Sequence, residues 1–199
     1  MIDTIIFDFG GVLVDWNPRY LYRDYFADDE KLEWFLSNIC TDEWNIEQDR
    51  GRLLSEATEL LVKEFPDYKK EIEMYYGQWE TMLKDAIPET VEILLELKKK
   101  YRMYGLTNWS AETFPIALKR FEFFEVFDGI LVSGEEKLIK PDVKIFEMMM
   151  ERFSLKPENS LFIDDNEKNV EASRKFGITT IHYKNPEDLK KDLIELGIL

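Results

Sequence analysis

The sequence has one cysteine, Cys40, and one histidine, His182, in 199 residues. A single cysteine cannot close an internal disulfide, which fits a reducing compartment. Basic residues are outnumbered, with 26 lysines and arginines against 41 acids and a formal net charge of -15. That balance disfavours polyanionic partners such as nucleic acid, which need a basic surface. A small anionic substrate is not excluded, because one bound metal ion and one lysine reverse the local field. No apolar run reaches the roughly 18 residues of a membrane helix. The opening MIDTIIFDFGG has no basic n-region and too short an apolar run for a signal peptide. The expected location is therefore the cytoplasm, with no nucleic-acid and no membrane partner, and with the oligomeric state left open.

What the chain does have is core-forming material, 45% hydrophobic and 14% aromatic, enough for one domain with a modest insertion. TIIF at 4–7 is a continuous β-branched and aromatic run of the kind buried on both faces of a sheet. RMYGLT at 102–107, GILVS at 129–133, SLFID at 160–164 and TTIHY at 179–183 repeat the pattern. Helical patterns separate them. PETVEILLELKKKY opens on Pro88 with acids first and lysines last, as the helix dipole prefers. AETFPIALKRF follows the second run with Pro115 inside it, PDVKIFEMMMERF begins at Pro141, and EKNVEASRKFG stops at Gly177. Such alternation predicts an α/β fold with a parallel sheet covered on both faces. Residues 16–86 break the rhythm with a series of helical patterns and no convincing strand. The expected organisation is a core of residues 1–15 and 87–199, with residues 16–86 inserted as a helical cap over the carboxyl edge of the sheet, where open α/β sheets bind ligands.

Each of several predicted strands ends in a polar group: Asp8 after IIF, Thr107 and Asn108 in LTN, and Asp164 and Asp165 in FIDDN. Lys140 lies in IKPD, after the third run. Singly these read as caps and turns; together they suit phosphoryl transfer. A carboxylate can attack phosphorus and divide one hard displacement into two. A Mg²⁺ ion on hard oxygen ligands screens the two anions. Asp8, Asp164 and Asp165 supply such oxygens, Lys140 neutralises phosphate charge, and Thr107 holds equatorial oxygens. Neighbouring Asp164 and Asp165 point opposite ways along a strand, so one is expected to take metal while the other orients Lys140 or a water. Asn169 is expected to support Asp165.

FDFGGVLVD, LTN, KPD preceded by GEEKLI, and FIDDNEKNVEASRKFGI resemble, in order and spacing, the four motifs of the haloacid dehalogenase-like hydrolase superfamily. The resemblance covers nearly the whole chain. It implies a Rossmann-like core with a helical cap, Asp8 as nucleophile, Thr107 and Asn108 on substrate, Lys140 on nucleophile and phosphate, and a Mg²⁺ site of Asp8, the Gly10 carbonyl, Asp164 and Asp165. The paired acids favour the Mg²⁺-dependent phosphatase branch over the metal-free dehalogenases. FDFGGVLVDWNP and DRGRLLSEA are further similar to bacterial glucose-1-phosphate phosphatases, which implies a small phosphorylated substrate, a sugar phosphate above all. The alternatives are a dehalogenase and a silent binding protein of the same fold.

The departure is Gly10. Phosphatases of this superfamily mostly carry there an aspartate that protonates the leaving group and then activates water. Glycine keeps the carbonyl and loses the carboxyl. A cap residue or a water at the metal can move the proton instead, an anomeric oxygen can leave with little help, or the fold can be silent. Asp15 is the nearest other acid, equally readable as a cap anchor. In EWNIEQDRG, residues 43–51, Trp44, Gln48, Asp49 and Arg50 suit a sugar, but an Asp49–Arg50 ion pair within the cap is the preferred reading. Trp16, Trp34 and Trp79 read as packing residues, and His182 as a core or edge residue away from the motif-bearing strand ends.

Overall fold

The run Thr4–Phe7 forms β1, the central strand of a five-stranded parallel sheet, in a computed structural model that describes residues 1–199. All of β1 is buried, as expected where helices cover both faces. The chain continues through β2 (Val14–Trp16), α1 (Arg19–Tyr22), α2 (Asp29–Asn38), α3 (Asp42–Asp49), α4 (Leu54–Glu64), α5 (Lys69–Gly77) and α6 (Trp79–Met82). It returns along β3 (Leu83–Ala86), α7 (Pro88–Leu97), β4 (Arg102–Thr107), α8 (Phe114–Arg120), β5 (Gly129–Val132) and α9 (Ser133–Glu136). The remainder is α10 (Val143–Phe153), β6 (Ser160–Asp164), α11 (Glu167–Phe176), β7 (Thr179–His182) and α12 (Pro186–Glu195).

The sheet order is β5-β4-β1-β6-β7, and every neighbouring pair is parallel. This is a Rossmann-like core with a helical cap, as the resemblance implies; the parallel sheet is the one the alternation predicts, and the helical insertion the one the break in rhythm predicts. Register then does the positioning. Phe7 lies opposite Ile163, so Asp8 comes level with Asp164 one residue further on. The same strand sets Phe7 opposite Gly105, which carries Thr107 to that edge.

Side chains divide between the two faces with the strand period of two. Ile5, Phe7, Met103, Leu161 and Ile163 join one apolar core that runs on without a break into Tyr22, Phe35, Ile72 and Tyr75 of the helical insertion. Ile6, Tyr104, Leu106, Leu131 and Phe162 pack on the other face against Ile145, Phe146, Met149 and Met150 of α10. Phe9 anchors the turn after β1 among Phe114, Phe124 and Phe127, with ring centroids 6.1, 4.9 and 5.2 Å away. Gly105 lets that ring in: a Cβ there would overlap it. Burying a phenylalanine contributes about 1.5–3 kcal/mol, so the turn bearing the site residues is held by packing on β4 and α8.

The structure corrects the sequence reading in three places. Residues 16–86 do contain strand: β3 pairs antiparallel with β2, closing the neck of the insertion. Two short strands, one with both central residues exposed, offer too little alternation to register as a pattern. Helices α3 and α12 also form where none was read, with Thr41 and Asn185 accepting the backbone N–H of Trp44 and Asp188 as N-caps. Pro115 falls in the first turn of α8, where its missing N–H costs nothing.

Candidate active site

The edge formed by the carboxyl ends of β1, β4 and β6 gathers Asp8, Thr107, Asp164 and Asp165, and the segment before α10 delivers Lys140 into their midst. Lys140 is 1% exposed, an unusual position for a lysine unless paired. Its Nζ lies 2.9 Å from Asp8 Oδ1 and 2.7 Å from Asp164 Oδ2, and donates to the Leu106 carbonyl at 2.9 Å. All three ammonium protons thus have acceptors, the condition under which a buried charge is tolerated. Burial opposes the charge, yet the carboxylates of Asp164 and Asp8 together hold the Lys140 pKa above its usual value. At Asp8 burial prevails and pushes the carboxyl up, with the Lys140 ammonium opposing.

Asn108 fixes where Lys140 stands. Its Oδ1 accepts the Lys140 backbone N–H at 2.8 Å, and its Nδ2 donates to the Lys140 carbonyl at 3.0 Å. Expected as a substrate contact, Asn108 has both ends of its amide engaged on this backbone while its side also lines the cavity described below. Thr107 differs: its hydroxyl is buried and has no hydrogen-bond partner. An orphaned buried hydroxyl is costly, and a phosphate oxygen would satisfy it.

Asp164 and Asp165 diverge in their contacts. Asp164 is fully buried and accepts from Lys140, from the Asn166 N–H at 2.8 Å and from Asn169 Nδ2 at 3.1 Å to each oxygen. Asn169 therefore supports Asp164 and not Asp165, because β6 ends on Asp164 and the first turn of α11 folds back over it. Asp165 reaches solvent along part of its length, while partial burial of its carboxyl, together with repulsion from Asp164, raises its pKa. One oxygen each from Asp8, Asp164 and Asp165 lies within 4.8 Å of the others. Three carboxylates facing one lysine leave an excess of negative charge on hard oxygens, the donor set that fits Mg²⁺.

Sequence reasoning missed Gly11. Its φ is +73°, and a Cβ there would overlap the Asp165 carboxylate. Glycine is required for both reasons; the GG pair is the available signal, and of its two members it is Gly11 that needs to be glycine, since a Cβ at Gly10 would meet nothing within 4 Å. His182 was also misplaced. Its strand register sets it opposite Asp164, and its Nε2 lies 2.9 Å from the Asp165 carbonyl.

A cavity opens between this edge and the cap, lined by Trp16, Trp79, Trp109 and Tyr76 together with Asn45, Asp49 and Asn108. Trp16 and Trp79 thus face the cleft rather than acting only as packing, whereas Trp34 is 46% exposed on the cap's surface. The expected Asp49–Arg50 pair does not form: Arg50 Nε reaches Glu47 at 3.5 Å, and Asp49 faces the cavity instead. Asp15 is an anchor, accepting the Tyr20 hydroxyl at 2.8 Å. Cap residues Gln48, Tyr76 and Asn45 form a chain, with Gln48 Nε2 donating to the Tyr76 hydroxyl at 2.7 Å and that hydroxyl donating to Asn45 Oδ1 at 2.9 Å.

The family described as haloacid dehalogenase-like hydrolase matches residues 30–183. Drimenol cyclase drtB of Aspergillus calidoustus is 26% identical over 98% of this chain, which spans only 37% of that protein's length. D-ribitol-5-phosphate phosphatase of Bacteroides thetaiotaomicron is 22% identical, with 97% of each chain covered. The crystal structure of a family enzyme from the same organism, in complex with magnesium and inorganic phosphate, superposes with a TM-score of 0.71 at 24% identity, covering 93% of this chain and 96% of that one.

Proposed function

The chain belongs to the haloacid dehalogenase-like hydrolase family, and on that premise we propose that it is a Mg²⁺-dependent phosphatase of small phosphorylated metabolites, its preferred substrate a sugar phosphate. The observation that carries this reading is the Asp8–Lys140–Asp164 triad beside the unpartnered Thr107 hydroxyl. The fit of the three carboxylates to magnesium and the magnesium–phosphate complex of the Bacteroides structure support it.

In this reading residues 1–15 and 87–199 are the catalytic unit and 16–86 the substrate-selecting cap. Asp8 attacks phosphorus to form an aspartyl-phosphate, which water then hydrolyses. Lys140 keeps the attacking carboxylate oriented and balances charge on the phosphoryl oxygens, Thr107 donates to one of those oxygens, and Asn108 holds Lys140 in position at the rim of the substrate cavity. Asp8, Asp164, Asp165 and the Gly10 carbonyl would hold Mg²⁺, which supplies positive charge where carboxylate and phosphate meet. The aromatic faces of Trp16, Tyr76, Trp79 and Trp109, with Asn45 and Asp49 between them, support a ring-and-hydroxyl leaving group of the glucose-1-phosphate kind.

Phosphate release from p-nitrophenyl phosphate tests the activity. Release is expected with Mg²⁺, not with chelator, and not from Asp8→Asn. Undiminished turnover by Asp8→Asn removes the covalent route. Metal-independent halide release from 2-chloropropionate, with no phosphate release, would make the protein a dehalogenase. A panel of sugar, nucleoside and prenyl phosphates then ranks leaving groups; preference for a prenyl phosphate overturns the sugar assignment.

A further inference from the structure

Glycine at position 10 leaves the site without the strand-end acid that most phosphatases of the superfamily carry. In the first step an alkoxide must take a proton, and in the second a water must lose one. Among the residues lining the cleft one carboxylate is present, Asp49, and it comes from the cap.

We propose that Asp49 is the general acid and base of the phosphatase reaction, a role moved from the end of β1 to the end of α3. The inference rests on the phosphatase reading above. Asp49 is the last residue of α3, and the loop after it is tied down on the core. Ser133 Oγ donates to the Asp49 carbonyl at 2.5 Å. Gly51, at φ +98°, brings its backbone so close to Gly134 that a Cβ would sit 3.0 Å from the Gly134 carbonyl oxygen. With the Asp49 backbone thus held, its carboxyl faces the Ser110 N–H and shares the cavity with Asn108, which grips the backbone of Lys140. A phosphate resting on Lys140 and Thr107 would extend its leaving group into this cavity.

Two features separate Asp49 from an ordinary cap carboxylate. Arg50 turns away to Glu47, so no cation of the cap holds Asp49 ionised. Burial pushes its carboxyl up to about 7, against the Ser110 N–H and the Lys140 ammonium. The other titratable groups facing it are the phenols of Tyr75 and Tyr76 on α5, themselves pushed upward by burial. A group poised near the working pH can give and take a proton. The Trp16 indole N–H on the same cavity wall is buried without a partner, an independent sign that the cavity is built for a ligand with an acceptor.

The steps balance. As Asp8 bonds to phosphorus, the bond from phosphorus to the leaving oxygen breaks, and that oxygen takes the Asp49 proton and departs as an alcohol. Asp49, now a carboxylate, takes a proton from water as the water oxygen bonds to phosphorus. The phosphorus–Asp8 bond breaks, inorganic phosphate forms, and both carboxyl groups return to their starting states.

The test compares p-nitrophenyl phosphate, whose alcohol leaves as a stable anion, with phenyl phosphate, whose alcohol needs the proton. In kcat/KM, which reports the first step, Asp49→Asn is expected to lose roughly 10²- to 10⁴-fold on phenyl phosphate, and under about a tenth of that on p-nitrophenyl phosphate. The wild-type rate on phenyl phosphate should fall above about pH 7, and the variant should lack that limb. Gly10→Asp in the Asp49→Asn background should restore phenyl phosphate turnover, since a side chain at position 10 meets open space. Equal losses on both substrates, or none on either, overturn the inference and leave the phosphatase reading standing. A wild-type protein that releases phosphate from neither substrate overturns both. Near-ultraviolet circular dichroism of the single variant separates a folding defect from a proton-transfer defect, and failure of the double variant to recover activity while folded counts against the proposal.

Discussion

Replacing Lys140 with methionine keeps the side-chain volume and removes the charge. Nζ has three partners within 2.9 Å: Asp8, Asp164 and the Leu106 carbonyl. Without it, two buried carboxylates confront each other with no cation between them. Removing one partner of a buried ion pair costs about 3–5 kcal/mol, and for a chain of this size each kcal/mol lowers Tm by about 2–4 °C. In chelator, Lys140→Met should therefore melt about 6–20 °C below wild type. Magnesium should narrow the gap, because in the variant the divalent ion is the remaining positive charge at the site. Binding to the folded state alone at 100 times Kd adds about 2.7 kcal/mol, and the variant should gain more than the wild type. Thermal scans of both proteins across a magnesium titration read this directly. A Tm unchanged by the substitution in chelator, or a gap indifferent to magnesium, would refute the view that Lys140 offsets a site built for a cation.

Two further outcomes follow from packing and burial. Gly105→Ala drives a methyl group into the Phe9 ring, and overpacking of this kind costs about 1–3 kcal/mol; urea denaturation should show a lower midpoint with an unchanged m-value. Cys40 is buried, and burial pushes its thiol up, so it should resist iodoacetamide at pH 8 in the native protein and react once the protein is unfolded, as mass spectrometry would record.

The strands of the sheet core, and every long helix between them except the terminal α12, were legible because buried parallel strands write themselves as continuous apolar runs. TIIF, RMYGLT and SLFID need no partner to be recognised. The polar residues ending them were legible as a set for the same reason, since parallel strands all present their carboxyl ends to one edge. The β2–β3 pair was not, because a strand of three or four residues acquires its identity from the strand it meets. Asp49 was misread for a more basic reason. Adjacent residues on a helix do not face each other, so Arg50 pairs with Glu47, one turn back, and leaves Asp49 to the cleft. Asn169 was assigned to the wrong acid because only the fold of α11 over the end of β6 shows which carboxylate it reaches.

Residue order alone determined the architecture, the edge where chemistry collects and the kinds of group that meet there, because periodicity and strand-end position are local properties of a chain. Tertiary structure decided which of those groups touch: that Asn108 clamps the Lys140 backbone, that Thr107 is left without a partner, and that a carboxylate from the cap stands over the cleft. Those outcomes depend on side-chain direction and on contacts between segments far apart in sequence, and neither exists until the insertion packs down on the sheet.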